Sequence, residues 1–143
     1  MTEFSVSVDI QAPADRVLAV ILDVEHWQEW TPSIASIQRM DSGPFRIGSE
    51  ARVVQPKLRP AVWRVTELDE RGFVWVTRGP GLFVAGNHHV ASRRSDSTVT
   101  LSLQFSGVAG WLAARIYRKL NEQYLNMEAN GLKARCETPV PPR

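Results

Sequence analysis

Residues 108–135 read VAGWLAARIYRKLNEQYLNMEANGLKAR and contain no proline. Apolar residues recur in this stretch at helical spacing, and charged residues lie off that stripe. The apolar stripe consists of Leu112, Ile116, Leu120, Tyr124 and Met127, and the charged residues beside it are Arg115, Lys119, Glu122 and Glu128. We therefore expect one amphipathic helix of about seven turns, about 40 Å long.

The sequence upstream of this helix has the period of β-strands. Between residues 33 and 106 it is divided into short segments rich in β-branched and aromatic residues, separated by turn signals. These segments are SIASIQRM, EARVVQ, AVWRVTEL, FVWVTR, LFVAGNHHVAS and TVTLSLQF. Because no gap between them is long enough for a helix, they are expected to form an antiparallel meander.

The first residues supply a seventh strand and two short helices. In FSVSVDI, residues 4–10, apolar and polar residues alternate, as in a strand with one buried face. Helical spacing follows at residues 14–22, and a second short helix at about residues 24–29 ends before Pro32. The predicted fold class is therefore α+β: a seven-stranded curved antiparallel sheet around a long C-terminal helix, with two short helices after the first strand.

This arrangement predicts a gap between the sheet and the helix. A cylinder about 10–12 Å wide cannot fill the trough of a curved sheet. Trp27 and Trp30 lie where the helical segment passes into the second strand, and we expect them over the mouth of the gap. The alternative is that the two indoles only seal a packed core, since aromatic rings bury a large area in either case.

Three quoted stretches carry a resemblance to a known superfamily. They are IQAPADRVLAVILDVEHWQEWTPSIASIQ, the junction QFSGVAGWL, and GLKARCE near the end of the last helix. Together with the order of elements they resemble the START-like (SRPBCC) superfamily, which has the helix-grip fold, and in particular its polyketide cyclase/dehydrase-like members. The resemblance covers residues 3–137. It implies the fold strongly and the ligand weakly, because the shared residues are mainly structural.

The composition and charge of the chain indicate a single globular domain and argue against nucleic-acid-binding and membrane-inserted proteins. We expect a single domain over residues 1–137, followed by a mobile proline-rich tail at residues 138–143. A net charge of +2 without a clustered basic patch argues against nucleic-acid binding. No apolar run is long enough for stable membrane insertion, so a cytoplasmic monomer or homodimer is expected. Cys136, the single cysteine, excludes an internal disulfide.

The hairpin of the last two strands indicates which histidine faces the core. If Ser95 and Asp96 form a two-residue turn, His88 pairs with Leu103 and shares its face. We therefore expect His88 to point inward and His89 outward. An inward imidazole could orient a ligand oxygen, act as a general acid–base, or simply be buried and bonded to a neighbour. We expect no cofactor, and no metal either, because no further histidine or carboxylate is placed on the inner face.

The remaining candidates for ligand contact come from the strands and the last helix. On the strands, ring size and apolar character favour inward positions for the residues Trp63, Trp75, Leu101 and Leu103. On the helix, the candidates are Tyr117, Leu120 and Tyr124, of which the two tyrosines lie seven residues apart on nearly the same stripe. A phenol at the edge of an apolar cavity can hydrogen-bond a ligand oxygen.

Three functions are compatible with this pattern. The favoured one is binding, transport or sequestration of a small hydrophobic or aromatic molecule, polyketide- or lipid-like, in an internal cavity. The second is a polyketide cyclase/dehydratase-type enzyme that uses His88 or a tyrosine as acid–base. The third is a regulatory protein that binds a partner. The fold hosts more than one of these activities and does not choose among them.

Overall fold

Alternation of apolar and polar residues produces strands with one buried face. The computed structural model describes residues 2–138. In β1 (Thr2–Ile10) every second side chain, from Thr2 to Val8, is half-buried and those between are exposed. The predicted mobile tail lies outside the described residues, apart from Thr138.

Residues 2–138 form seven strands, three α-helices and one 3₁₀ helix. After β1 come α1 (Ala14–Leu22) and the 3₁₀ helix (Val24–Glu29). The other strands are β2 (Ser36–Arg39), β3 (Glu50–Val54), β4 (Ala61–Asp69), β5 (Gly72–Gly79), β6 (Leu82–Arg93) and β7 (Asp96–Ser106). The last helices are α2 (Gly110–Ile116) and α3 (Arg118–Glu137).

The strands form one antiparallel sheet. Its order is β1-β7-β6-β5-β4-β3-β2, so the N-terminal strand pairs with the last one and the others form a meander. The sheet curves around the C-terminal helices, which confirms the predicted helix-grip architecture. Helix α3 packs on β1, β7 and α1, whereas α2 packs on β6, β7 and β1.

The predicted long C-terminal helix is confirmed as α3, but the expectation of one uninterrupted helix over residues 108–135 was wrong. The helix breaks at Tyr117, whose backbone angles of φ −97° and ψ 15° leave the α-helical region. Neither proline nor glycine marks this position in the sequence. Both helices contact β1 and β7, and α2 also contacts β6, where Ala114 lies in a small cluster with Val84 and Phe105.

The predicted apolar stripe was also wrong in part. Leu112 and Ile116 are exposed, at 45% and 65% of their surface. The inward face of α3 instead carries small and polar residues among the apolar ones; its buried members are Asn121, Tyr124, Leu125, Ala129, Leu132 and Cys136. Hydrophobicity alone did not identify this face, because the helix approaches its neighbours through small side chains.

One such approach is made by Gly131. A Cβ atom at this position would lie 1.9 Å from the backbone oxygen of Trp30 and 3.3 Å from its indole Cε3. The close neighbour of Gly131 is the segment that follows the 3₁₀ helix, so this contact sets how near α3 lies to the Trp30 backbone.

We predict that Gly131→Ala destabilises the protein by about 1–3 kcal/mol, because the new methyl group forces α3 away from Trp30. In an unconstrained helix the same change stabilises by about 1 kcal/mol. Urea unfolding of the purified variant measures the difference. Asn130→Ala, on the exposed neighbouring position, is the control and is expected to be neutral or slightly stabilising. A gain in stability for Gly131→Ala would contradict this packing.

Candidate functional site

A cavity that is partly open to solvent lies between the concave face of the sheet and helices α2 and α3. Its volume is about 320 Å³. The sheet contributes residues of β3 to β7, and the helices contribute Ala113 of α2 and four residues of α3. Its wall is mainly aromatic and aliphatic, and includes Trp63, Val84 and Leu125. This volume lies at the lower end of the range of small-molecule sites, about 300–1,000 Å³.

A second, larger groove lies on the outside of the molecule and is lined partly by charged side chains. It is an open groove of about 660 Å³ between the free edge of β1 and the residues that begin α3. Exposed charged side chains line it, and two of them, Arg118 and Glu122, form an ion pair of 3.2 Å across one helical turn. Because a groove lined by charged side chains holds an apolar molecule poorly, the mainly apolar cavity between the sheet and the helices is the candidate site.

Most of the predicted contact residues line this cavity. They are Trp27, Trp63, Trp75, His88, Leu101, Leu103, Tyr117 and Tyr124. Trp30 and Leu120 do not line it. Trp30 packs on Trp27 and on the backbone near Gly131. Leu120 is half-buried on α3, about 100° around the helix from the lining residue Asn121.

Trp27 closes one end of the cavity as a fixed wall. Only 2% of its surface is exposed, and its indole Nε1 donates a hydrogen bond of 3.0 Å to the backbone oxygen of Ile21. Its ring lies 5.4 Å from that of Trp75 and 5.1 Å from that of His88. A side chain held on every side in this way belongs to the core, although it also lines the cavity.

The indole rings of Trp63 and Trp75 pack over Gly86. A Cβ atom at Gly86 of β6 would lie 3.3 Å from the Trp75 ring and 3.5 Å from the Trp63 ring. The two indoles are 5.8 Å apart and inclined by 36°. The absence of a side chain at Gly86 therefore lets both rings lie over β6 and form one aromatic surface.

The predicted inward orientation of His88 is confirmed, with a corrected register. Arg93 pairs with Asp96, so the turn consists of Arg94 and Ser95, and His88 pairs with Leu101 instead of Leu103. This shift by two leaves the faces unchanged. His88 is 6% exposed, whereas His89 on the other face is half-buried.

The His88 imidazole is neutral at physiological pH. It stacks on Phe73 with 4.4 Å between ring centres, and its Nδ1 donates a long hydrogen bond of 3.4 Å to the Phe73 backbone oxygen. Burial lowers the pKa of His88 to about 4, because a charged imidazolium is poorly solvated among aromatic rings. With Nδ1 protonated, Nε2 is left as an acceptor.

Helix α3 presents three polar side chains to the cavity. Asn121, Tyr124 and Glu128 have the spacing i, i+3, i+7 and so share one helix face. The Tyr124 hydroxyl donates to the backbone oxygen of Pro56. Glu128 keeps some accessible surface, but it lines an apolar cavity, and burial raises the pKa of its carboxyl to about 7.

The prediction that no carboxylate lies on the inner face was therefore wrong. Glu128 lies off the apolar stripe that the sequence predicts, and hydrophobic spacing alone therefore assigns it to the solvent side. The spacing of Asn121, Tyr124 and Glu128 was a signal that could have placed all three on the same face. Among residues 2–138, no group of three His, Cys, Asp or Glu side chains could hold a metal ion. Within the same range, no helix is both long and apolar enough to cross a membrane.

We predict opposite effects of pH at the two buried groups. Glu128 has a folded pKa of about 7 against 4.5 when solvated, so its contribution to stability falls as the pH rises between these values. His88 has a folded pKa of about 4 against 6.5, so its contribution rises with pH over that interval. Each slope is at most about 1.4 kcal/mol per pH unit, and the two cancel where the intervals overlap.

Urea unfolding at several pH values tests this cancellation. Glu128→Gln should gain stability relative to the wild type as the pH rises from 4.5 to 7, and His88→Gln should gain as the pH falls from 6.5 to 4. Glu122→Gln, at an exposed position of the same helix, should follow the wild-type profile. Profiles for Glu128→Gln and wild type that run parallel would show that this carboxyl is solvated.

The architecture is shared with solved structures of low sequence identity. Hypothetical protein jhp0584 from Helicobacter pylori matches with a TM-score of 0.79 and 15% identity, over 94% of this chain and 88% of its own. TTHA0849 from Thermus thermophilus matches with a TM-score of 0.74 and 17% identity, over 94% and 97%. The di-domain ARO/CYC BexL from the BE-7585A biosynthetic pathway matches with a TM-score of 0.69 and 18% identity, over 94% of this chain and 46% of its own.

Sequence comparison identifies the family. Among curated protein sequences none matches this chain. The family model described as polyketide cyclase/dehydrase and lipid transport matches residues 1–137. This is nearly the whole chain, and it agrees with the sheet-and-helix architecture and with the likeness to the solved structures. The chain therefore belongs to the polyketide cyclase/dehydrase and lipid transport family.

Proposed function

We propose that this protein binds a small, mostly apolar molecule in the cavity between the sheet and α3, for transport or sequestration. The observation that carries the proposal is the cavity itself: about 320 Å³, with an aromatic and aliphatic wall and few polar groups. Such a wall lowers the free energy of an apolar guest by removing its surface from water. The few polar groups would fix the orientation of the guest.

Preorganisation supports this proposal. Trp27 is held by a hydrogen bond to the Ile21 backbone, and the indoles of Trp63 and Trp75 pack together over Gly86. Rings that are already fixed lose little conformational freedom when a guest arrives, so more of the burial energy remains for binding. A planar guest could stack on this surface, with ring centres about 4.5–7 Å apart.

An enzyme of the polyketide cyclase/dehydratase type is the second candidate. The observation in its favour is that an ionisable carboxyl, Glu128, and a neutral imidazole, His88, line the same cavity. A group with a pKa of about 7 is suited to proton transfer at neutral pH, and this applies to Glu128. The His88 pKa of about 4 makes that residue a weak base. The two candidates differ in whether the bound molecule leaves chemically changed.

We predict that the neutral fluorescent probe N-phenyl-1-naphthylamine binds in the cavity and that Leu103→Trp weakens its binding at least about tenfold. Leu103 lines the cavity, and the larger indole would occupy space that the probe needs. The measurement is the Kd from the fluorescence of the directly excited probe.

Gln104→Trp is the matched control. It adds the same indole at the next position of β7, whose side chain points to the opposite face and bonds Glu3. The probe should bind this variant as it binds the wild type. Equal binding by Leu103→Trp would place the probe elsewhere on the molecule, for example on the exposed residues Trp111 and Ile116 of α2, and would contradict the proposal.

A further inference from the structure

The polar face of α3 contains a buried donor without an acceptor. The side chain of Asn121 lines the cavity and the residue is only 6% exposed. Its Nδ2 has no hydrogen-bond partner within residues 2–138. Buried amide groups are nearly always paired, because an unsatisfied donor retains the full cost of leaving water. Rotation of the side-chain amide by 180° would exchange Nδ2 with Oδ1 and turn the donor toward the cavity, where a ligand oxygen could accept its hydrogen bond.

Glu128 offers a second polar position on the same face. No hydrogen bond or neighbouring charge from the described residues acts on its carboxyl, and burial alone accounts for its raised pKa. In its protonated form the carboxyl donates one hydrogen bond. Tyr124, which lies between the two, already donates its hydroxyl hydrogen to Pro56. The free donors on this face are therefore Asn121 and protonated Glu128.

The other titratable groups around the cavity do not supply a buried positive charge. His88 on β6 is neutral, and Tyr117, between α2 and α3, is 42% exposed. Arg59, in the loop between β3 and β4, lines the cavity but is exposed to solvent, where water and salt screen its charge. A carboxylate inside would thus meet Glu128 without a buried cation to balance it.

We propose that Asn121 and Glu128 are the specificity determinants of this cavity: they select an elongated, uncharged apolar molecule that carries hydrogen-bond-accepting oxygens, such as ketone carbonyls, along the edge facing α3. Seven residues of helix separate the two donors, about 10 Å along the axis, so they receive two different oxygens. A molecule that carries carboxylates at these positions is rejected. This inference rests on the proposed binding function and adds the chemistry of the ligand to it.

Three probes of the same shape test the proposal. Naphthalene has no oxygen, 2,6-diacetylnaphthalene has a ketone at each end, and naphthalene-2,6-dicarboxylate has an ionised carboxylate at each end. Displacement of N-phenyl-1-naphthylamine gives the Kd of each probe at pH 6 and pH 8.5. At pH 6 the diketone should bind at least about tenfold more tightly than naphthalene, and the dicarboxylate more weakly than either.

Measurements at two pH values and on variants distinguish the contribution of Asn121 to diketone affinity from that of Glu128. For the wild type, the advantage of the diketone should shrink about tenfold at pH 8.5, because ionised Glu128 no longer donates, while naphthalene is unaffected. Glu128→Gln should retain the advantage at both pH values, since the amide still donates. Glu128→Leu should lose about tenfold for the diketone at pH 6 only, and Asn121→Leu about tenfold at both pH values.

The control variant is Glu122→Gln, an exposed position of the same helix that does not line the cavity. It should bind all three probes as the wild type does. Equal affinities of naphthalene and the diketone, or preference for the dicarboxylate, would overturn the proposal while leaving the binding function intact. Failure of all three probes to displace a bound fluorophore would overturn this inference alone. Failure of the fluorophore to bind the wild type would remove the binding function and this inference together.

Discussion

The close contact between Gly131 and the Trp30 backbone governs the rest of the structure. A helix and a curved sheet can touch closely only over part of their length, and here α3 is fixed against the segment that follows the 3₁₀ helix. At the other end the helix breaks at Tyr117, and α2 continues over β1 and β7 and reaches β6. The space between these two contacts is the cavity, so its existence follows from geometry as much as from the side chains that line it.

The electrostatic character of the cavity follows from its aromatic wall. The rings around His88 keep the imidazole neutral, and the same withdrawal from water favours the neutral form of Glu128. His88 is thus neutral near neutral pH, and Glu128, with a pKa of about 7, keeps a substantial protonated fraction there. Such an interior suits an uncharged guest, and it retains two polar positions on α3 that can discriminate among apolar molecules of equal size.

Much of the fold could be predicted because alternation indicates the buried face of each strand. Strand parity predicts His88 inward, as observed. The predicted turn lies one residue later in the chain than the observed turn, which moves the partner of His88 by two residues and leaves the face of His88 unchanged. The break at Tyr117 could not be predicted, because no proline or glycine marks it in the sequence. For the same reason Leu112 and Ile116 were expected inside and are exposed.

The candidate site was predicted less completely than the fold. Large aromatic residues such as Trp63 and Trp75 were identified by size, which is a good guide where a sheet has one buried face. Size and hydrophobicity could not identify Asn121 or Glu128, because a polar residue on a helix is ordinarily solvated. They also could not distinguish Trp27, which lines the cavity, from Trp30, which supports α3 from outside it.

The most direct measurement of the central claim is a crystal structure of the protein soaked with 2-bromonaphthalene, with anomalous scattering used to locate the bromine. We expect a bromine peak inside the space bounded by Trp63, Leu103 and α3, with the indoles in the positions described above. A cavity filled by the side chains of the protein itself, with bromine absent or bound only at the surface, would contradict the account.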